Sequence, residues 1–206
     1  MTSEHKPVII VIGGPNGSGK TSLTQALRLH EWVAGEGCVY INPDEIAQDK
    51  YGDWNSPEAI QKAAREADRL REDCLAARQS MVFETVLSSP AKVEFLERAK
   101  AAGYFIRLYF VCTDSPIICA ARVALRVTEG GHTVPIEKII SRYAKSIGNC
   151  AKTALFIDRA YIYDNSVDGR PAERLFRSAD GVVVKLDHNV MPDWANVVLE
   201  SLPRKT

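Results

Sequence analysis

The run Gly14-Pro15-Asn16-Gly17-Ser18-Gly19-Lys20-Thr21 satisfies the pattern G-x-x-x-x-G-K-[ST] at every fixed position. Ahead of it, Val8-Ile9-Ile10-Val11-Ile12 suits a buried strand, and Thr21-Ser22-Leu23-Thr24-Gln25-Ala26-Leu27 after it reads as a helix start. A strand, a glycine turn and a helix N-terminus direct backbone N–H groups and the positive end of a helix dipole at one point. That arrangement suits a triphosphate. Gly14, Pro15, Asn16, Gly17, Ser18, Gly19, Lys20, Thr21 and Ser22 are therefore the expected nucleotide-binding residues. Lys20 is expected to reach the β- and γ-phosphates of ATP or GTP, and the Thr21 hydroxyl to hold Mg2+. A glycine-rich turn with an incidental lysine is the plainer alternative, and the flanking strand and helix disfavour it.

A phosphate loop does not by itself separate a kinase from a GTPase, a motor or a transporter ATPase, so the later polar residues must. Asp44, in Asn42-Pro43-Asp44-Glu45-Ile46-Ala47, follows a short apolar run. A carboxylate at the end of a strand there can accept the proton of a substrate hydroxyl as its oxygen attacks the γ-phosphate. The same residue also fits a helix N-cap. Glu84 and Thr85 end the next apolar run, in Phe83-Glu84-Thr85-Val86-Leu87-Ser88-Ser89. They suit substrate hydroxyls or magnesium-bound water, while Ser88 and Ser89 suit a cap for a helix opening at Pro90. Arg122, Arg126 and Arg142 bracket Gly130-Gly131-His132-Thr133-Val134-Pro135, which reads as a hinge or lid between two helices. Arginines on such a lid can close over a transferred phosphoryl group. Arg122 fits an ordinary surface position better, Arg126 and Arg142 fit either role, and His132 is a phosphate contact or an idle loop residue.

The elements that must carry these groups alternate. Strands are expected over 7–13, 38–42, 81–85, 104–112 and 159–164, with helices near 57–77, 90–102, 115–127 and 135–152. The fold class is therefore α/β, a P-loop NTPase fold with a mostly parallel sheet, helices on both faces and a kinase-like lid. The long helix after Pro57 places Ile60, Ala63, Ala64, Ala67, Leu70, Cys74 and Ala77 on one stripe. Its Lys62, Arg65, Glu66, Arg69, Arg71, Glu72 and Asp73 read as a solvated face. Gly103 stands where a helix C-cap belongs. Residues 172–187 suggest a hairpin and 191–202 a closing helix. In Tyr161-Ile162-Tyr163-Asp164-Asn165-Ser166, Asn165 and Ser166 are candidates to border the nucleotide base, or form a plain turn.

Composition bounds the rest. The 206 residues suit one domain spanning 1–206, and 26 Lys+Arg against 26 Asp+Glu give no formal net charge. That balance disfavours nucleic acid or an anionic membrane as partner. No apolar run approaches the ~20 residues of a membrane span. The first residues lead straight into a strand without a signal peptide, and five scattered cysteines form no C-x-x-C pair. The expected location is cytoplasmic.

Taken in order, the motifs from Gly13 to Ser22, Asn42 to Ala47, Phe83 to Ser88, and Arg126 through Gly130-Gly131-His132-Thr133-Val134-Pro135 to Arg142-Tyr143 resemble the zeta toxin family. The closest resemblance is to its short branch, often labelled predicted ABC-type ATPases, although no L-S-G-G-Q-like segment is present. It covers about residues 7–165. It implies a kinase that transfers the γ-phosphate of ATP or GTP to a hydroxyl of a small molecule, UDP-N-acetylglucosamine in studied members, and an antitoxin protein as partner. By the resemblance, Lys20 is the phosphate-loop lysine, Thr21 the magnesium ligand and Asp44 the catalytic base. Asn42, Glu84 and Thr85 fall on the substrate side, and Arg126 and Arg142 are the lid arginines. The other reading is an ATPase or switch acting on a protein partner. Its GTPase form is disfavoured because the chain contains no N-K-x-D.

Overall fold

The computed structural model describes residues 6–29, 37–52, 55–131 and 133–204. The apolar run before the phosphate loop is β1 (Val8–Gly13), paired in parallel on both edges, with β3 (Met81–Thr85) and β4 (Phe105–Cys112). A strand flanked on both edges and covered on both faces needs apolar residues at every position, which explains its lack of alternation. Outside these, β2 (Val39–Ile41) pairs with β3 and β5 (Arg159–Asp164) with β4, again in parallel. The expected hairpin is β6 (Glu173–Ala179) and β7 (Val182–Leu186), added antiparallel, so the order is β2-β3-β1-β4-β5-β6-β7. Its turn residues Asp180 and Gly181 have φ of 48° and 75°. Positive φ at both central positions matches the turn to the twist of the strands.

Among the described residues the helices are α1 (Lys20–Ala26), α2 (Pro43–Tyr51), α3 (Pro57–Ala76), α4 (Pro90–Ala101), α5 (Pro116–Thr128), α6 (Ile136–Ala154) and α7 (Asp193–Glu200). Four open on proline, whose missing N–H is no loss at the first helical position. Side chains of Asn42, Ser56 and Ser115 cap α2, α3 and α5, whereas Ser89 holds the cap position of α4 without a side-chain bond. The expected C-cap near Gly103 is there, with φ of 85° just past α4 and the Tyr104 N–H reaching back to the Ala99 carbonyl. α2 is an addition to the expected helices. Its cap is Asn42, not Asp44: the Asn42 side chain accepts from the Asp44 N–H at 3.1 Å.

Both faces of the sheet carry helices, unequally. Ile9, Val11, Phe83, Leu108 and Phe110 belong to the large core shared with α3, α4, α6 and α7. Ile10, Ile12 and Val82 turn the other way, toward Leu27 and Leu29 beyond α1. A smaller cluster joins Cys119 and Val123 of α5 to Ile139 of α6, with Gly130 and Gly131 in the turn between them. Arg71 departs from the solvated face expected of it. It continues the buried stripe Ala59, Ala63, Ala67 at four-residue spacing and is 3% exposed, while Ile60 is 37% exposed. Docking on the sheet turns the buried face toward these positions. Among the described residues no helix is long and apolar enough to cross a membrane.

Candidate active site

Because β1 to β5 run parallel, the segments that follow them open on one edge of the sheet, where ligands of such folds sit. The phosphate loop lies at the centre of that edge and is clamped from both sides. A Cβ at Gly17 would come within 2.3 Å of the Cys119 carbonyl oxygen in α5, and one at Gly19 within 2.2 Å of Asn165 Nδ2. With φ of 78° and 98°, neither position accommodates another residue without rearrangement. Asn165 Nδ2 donates to the Ser18 carbonyl at 2.9 Å. Gly19 begins α1 without a side-chain cap, and no acidic residue occupies the first turn. The positive end of α1 thus faces the loop without an acidic residue of its own first turn to offset it.

Lys20 curls into this loop, its Nζ donating to the carbonyls of Gly14 and Pro15 at 3.0 Å each. Burial lowers its pKa, against the opposing influence of the Glu84 and Asp44 carboxylates. Phosphate oxygens would replace neutral carbonyls as its partners. Glu84 is buried, and its Oε1 accepts from the Thr24 hydroxyl at 2.8 Å and the Tyr40 hydroxyl at 3.1 Å. Burial, with Glu84 beside it, pushes the Tyr40 phenol well above its usual range, so Tyr40 stays a neutral donor. Thr21 is exposed on the first turn of α1 beside Lys20.

Lys20, Asn42, Asp44, Glu84, Thr85, Asn16 and Arg142 line one cavity of about 270 Å3. Its neighbour, about 300 Å3, is bordered by Gly19, Ser22, Arg122, Asn165 and Asp168. Gly19 and Lys20 are consecutive, so the two cavities flank the loop. Thr85 lines the first cavity, and its Oγ1 also accepts from the Leu87 N–H at 3.0 Å. Leu87 is buried with φ of 57°, a strained backbone held by Asn149, whose Nδ2 donates to the Leu87 carbonyl at 2.9 Å.

The lid arginines divide. Arg142 enters the first cavity, with Nη1 3.5 Å from Asn16 Oδ1. Arg126 is exposed at the end of α5, near enough to lower the Lys20 pKa, and its Cγ packs where a Cβ on Gly131 would come within 2.5 Å. Arg122 forms an ion pair with Asp168 at 2.6 Å beside the second cavity. Asn165 borders that cavity. Ser166 does not line it, because its hydroxyl donates to Asp164 at 2.7 Å and accepts from the Asp114 N–H at 2.8 Å. His132 lies outside the described residues.

Several positioning residues escaped the reading of motifs. Thr24 sits four residues after Lys20, so the helical repeat puts its hydroxyl on the inward face, a signal available in sequence. Tyr40 and Asn149 come from distant segments, and no local pattern marks them.

A family model described as Zeta toxin matches residues 1–169. The chain belongs to the zeta toxin family. Among curated proteins none matches it. Among solved structures it is similar to a chain of the AvrRxo1-ORF1:AvrRxo1-ORF2 complex with sulphate ions, with a TM-score of 0.72 and 17% identity over 96% of this chain and 65% of that one. A form of that complex with ATP gives a TM-score of 0.65 at 17% identity, covering 98% of this chain and 65% of the other. The PezAT chromosomal toxin-antitoxin system of Streptococcus pneumoniae gives 0.60 at 17% identity, covering 98% and 80%. The chain thus spans about two thirds of the length of the AvrRxo1 chains it matches. At this identity the likeness is one of fold. Within the zeta toxin family fold, the phosphate loop, Asp44 and Arg142 surround one cleft.

Proposed function

We propose that this zeta toxin family member transfers the γ-phosphate of ATP, or of GTP, to a hydroxyl of a small molecule. The observation that carries the reading is the pair of cavities flanking the phosphate loop, with Lys20 and its loop in reach of both. A transferase needs a nucleotide on one side of the transferred phosphoryl group and an acceptor on the other, whereas a switch needs only the first. The second cavity would take the nucleoside, and the loop amides and Lys20 would hold its β- and γ-phosphates. Asp44 would accept the acceptor's proton as its oxygen attacks the γ-phosphorus and the bond to the β–γ bridging oxygen breaks. Arg142 would reach the transferred group from the lid side, with Arg126 joining it as the lid closes. The Thr21 hydroxyl would hold Mg2+, which when bound neutralises charge on the phosphate oxygens.

Under this reading the whole chain is one kinase-like domain, acting in the cytoplasm. Its acceptor is a nucleotide sugar such as UDP-N-acetylglucosamine, and an antitoxin protein restrains it. The test is incubation of the purified protein with labelled ATP, Mg2+ and a metabolite extract, followed by mass spectrometry. One or a few phosphorylated metabolites are expected. ATP turnover that no extract component raises would point instead to a plain ATPase.

The lid assignment carries its own expected result. Arg142→Ala should leave the KM for ATP nearly unchanged while kcat falls. A single arginine that stabilises the transition state is worth roughly 10³–10⁵ in rate, and two that share the task are each worth less. Arg126→Ala should have the smaller effect, because Arg126 does not line the acceptor cavity. A kcat within about twofold of wild type assigns the substituted arginine to the surface.

A further inference from the structure

One face of the sheet is covered over only part of its width. Among the described residues, α1 and Leu29 pack on the side to which Ile10, Ile12 and Val82 turn, and along the sheet their clusters end at Tyr109, Tyr161 and Tyr163. The rest of that face is built by alternation. Phe105, Arg107 and Tyr109 of β4, and Arg159, Tyr161 and Tyr163 of β5, alternate with residues of the large core. The register lays these side chains in rows across the strands. Arg107 stands beside Arg159, and Tyr109 beside Tyr161, followed by Arg177 of β6 and Lys185 of β7. The Tyr109 and Tyr161 rings stack with centroids 4.8 Å apart. None of these residues lines either cavity beside the phosphate loop.

The charge of this face is one-sided. Arg107, Arg159, Arg174, Arg177 and Lys185 meet two carboxylates among the described residues: Asp180 lies 3.4 Å from Arg159, and Asp187 holds both Arg174 and Lys185. Arg107 and Arg177 pair with neither, and Arg107 Nε is buried without a hydrogen-bond partner among those residues. Like charges directly opposite each other on neighbouring strands are destabilising. Arg107 and Arg159 are nonetheless register partners, and both guanidiniums lie over the Phe105 ring, 5.4 and 5.9 Å from its centroid. A polyanion laid across the strands would offset that repulsion and give the orphaned donor an acceptor. The chain's zero net charge conceals this segregation.

We infer that this face of β4 to β7 binds single-stranded nucleic acid, its phosphates on the arginines and its bases against the tyrosine and phenylalanine rings. Aromatic rings interleaved with arginines favour this ligand over an acidic peptide, which needs only the cations. Four strands span about 15 Å, room for the two or three bases that a sheet surface stacks. The inference stands apart from the phosphotransfer reading, because the face shares no residue with the cleft.

The test is fluorescence anisotropy of a short labelled oligouridine. The protein is saturated with Mg2+ and a non-hydrolysable ATP analogue, so that the phosphate loop is filled. Saturable binding that weakens with salt is expected. Arg107→Gln and Arg177→Gln should each weaken it at least about fivefold and flatten the dependence of log K on log salt by about 0.7. Tyr161→Leu should weaken it about fivefold or more by removing a stacking ring, while leaving the salt dependence unchanged. Lys62→Gln, on the exposed side of α3, should alter neither quantity. Arg177 is exposed, so its replacement keeps the fold even if Arg107→Gln does not fold. No saturable binding at low salt, or unchanged affinity in Arg177→Gln, overturns the inference and leaves the kinase reading standing. Equal affinity for a polyglutamate peptide or for phosphatidylserine vesicles also overturns it. Product formation from labelled ATP by Arg177→Gln should match wild type, and its loss would assign Arg177 to the kinase machinery instead.

Discussion

Lys20→Ala is expected to abolish phosphoryl transfer and to weaken triphosphate binding severely. The variant removes the cation directed at the β- and γ-phosphates, the positions where negative charge is densest. It should remain folded. Among the described residues the Lys20 ammonium is bonded to carbonyls of its own loop, and Glu84 keeps the hydroxyls of Thr24 and Tyr40. The loop itself is held by Asn165 and by the close packing of Gly17 against Cys119, which do not involve the lysine. Calorimetric titration with a non-hydrolysable ATP analogue measures the binding loss, and a thermal melt establishes that the fold is intact. A folded Lys20→Ala protein with wild-type turnover would remove the phosphate loop from the mechanism.

Asp44→Asn separates proton acceptance from every structural role of the residue. It preserves size and hydrogen-bonding reach but removes the basic oxygen. Transfer to the acceptor should fall by roughly 10²–10⁴, the usual worth of a general base, or about 3–5 kcal/mol of barrier. Stability should hardly move, since Asn42 supplies the cap of α2 and Glu45 keeps an acid in its first turn. The lost charge near the helix N-terminus costs about 0.5 kcal/mol. Binding of the ATP analogue should persist, because Lys20 and the loop amides are untouched. The decisive measurement is the single-turnover transfer rate with saturating acceptor. A near-normal rate in the folded variant would refute Asp44 as the base and make Glu84 the next residue to test. Glu84 is the weaker candidate because the hydroxyls of Thr24 and Tyr40 already occupy one of its oxygens.

The phosphate loop, the strand before it and the helix after it were legible because their determinants are contiguous. Glycines that permit the turn, an apolar run with no alternation and a lysine at a fixed spacing all lie between Val8 and Lys20. The five parallel strands and the late hairpin were legible for the same reason, whereas their order in the sheet was not. Each strand is a short apolar run bounded by breakers, and Asp180-Gly181 carries its turn chemistry in its own backbone.

What the sequence left open was decided by packing between distant segments. Arg71 reads as one more charge on a charged helix, and only the docking of α3 on the sheet puts it over Phe83 inside the cavity wall. Asn42 and Asp44 are both good capping residues, and the choice fell to the one whose extended backbone turns its side chain back toward the helix. Glu84 acquires its environment from Thr24 and Tyr40, 60 and 44 residues away in the chain, which no local pattern connects to it. Arg126 and Arg142 read alike as lid arginines on the two helices flanking the glycine turn, yet only Arg142 lines the cavity. Local spacing thus specified which backbone would meet a phosphate. The side chains around it were selected by long-range contacts, because burial and charge depend on neighbours that only the assembled sheet brings together.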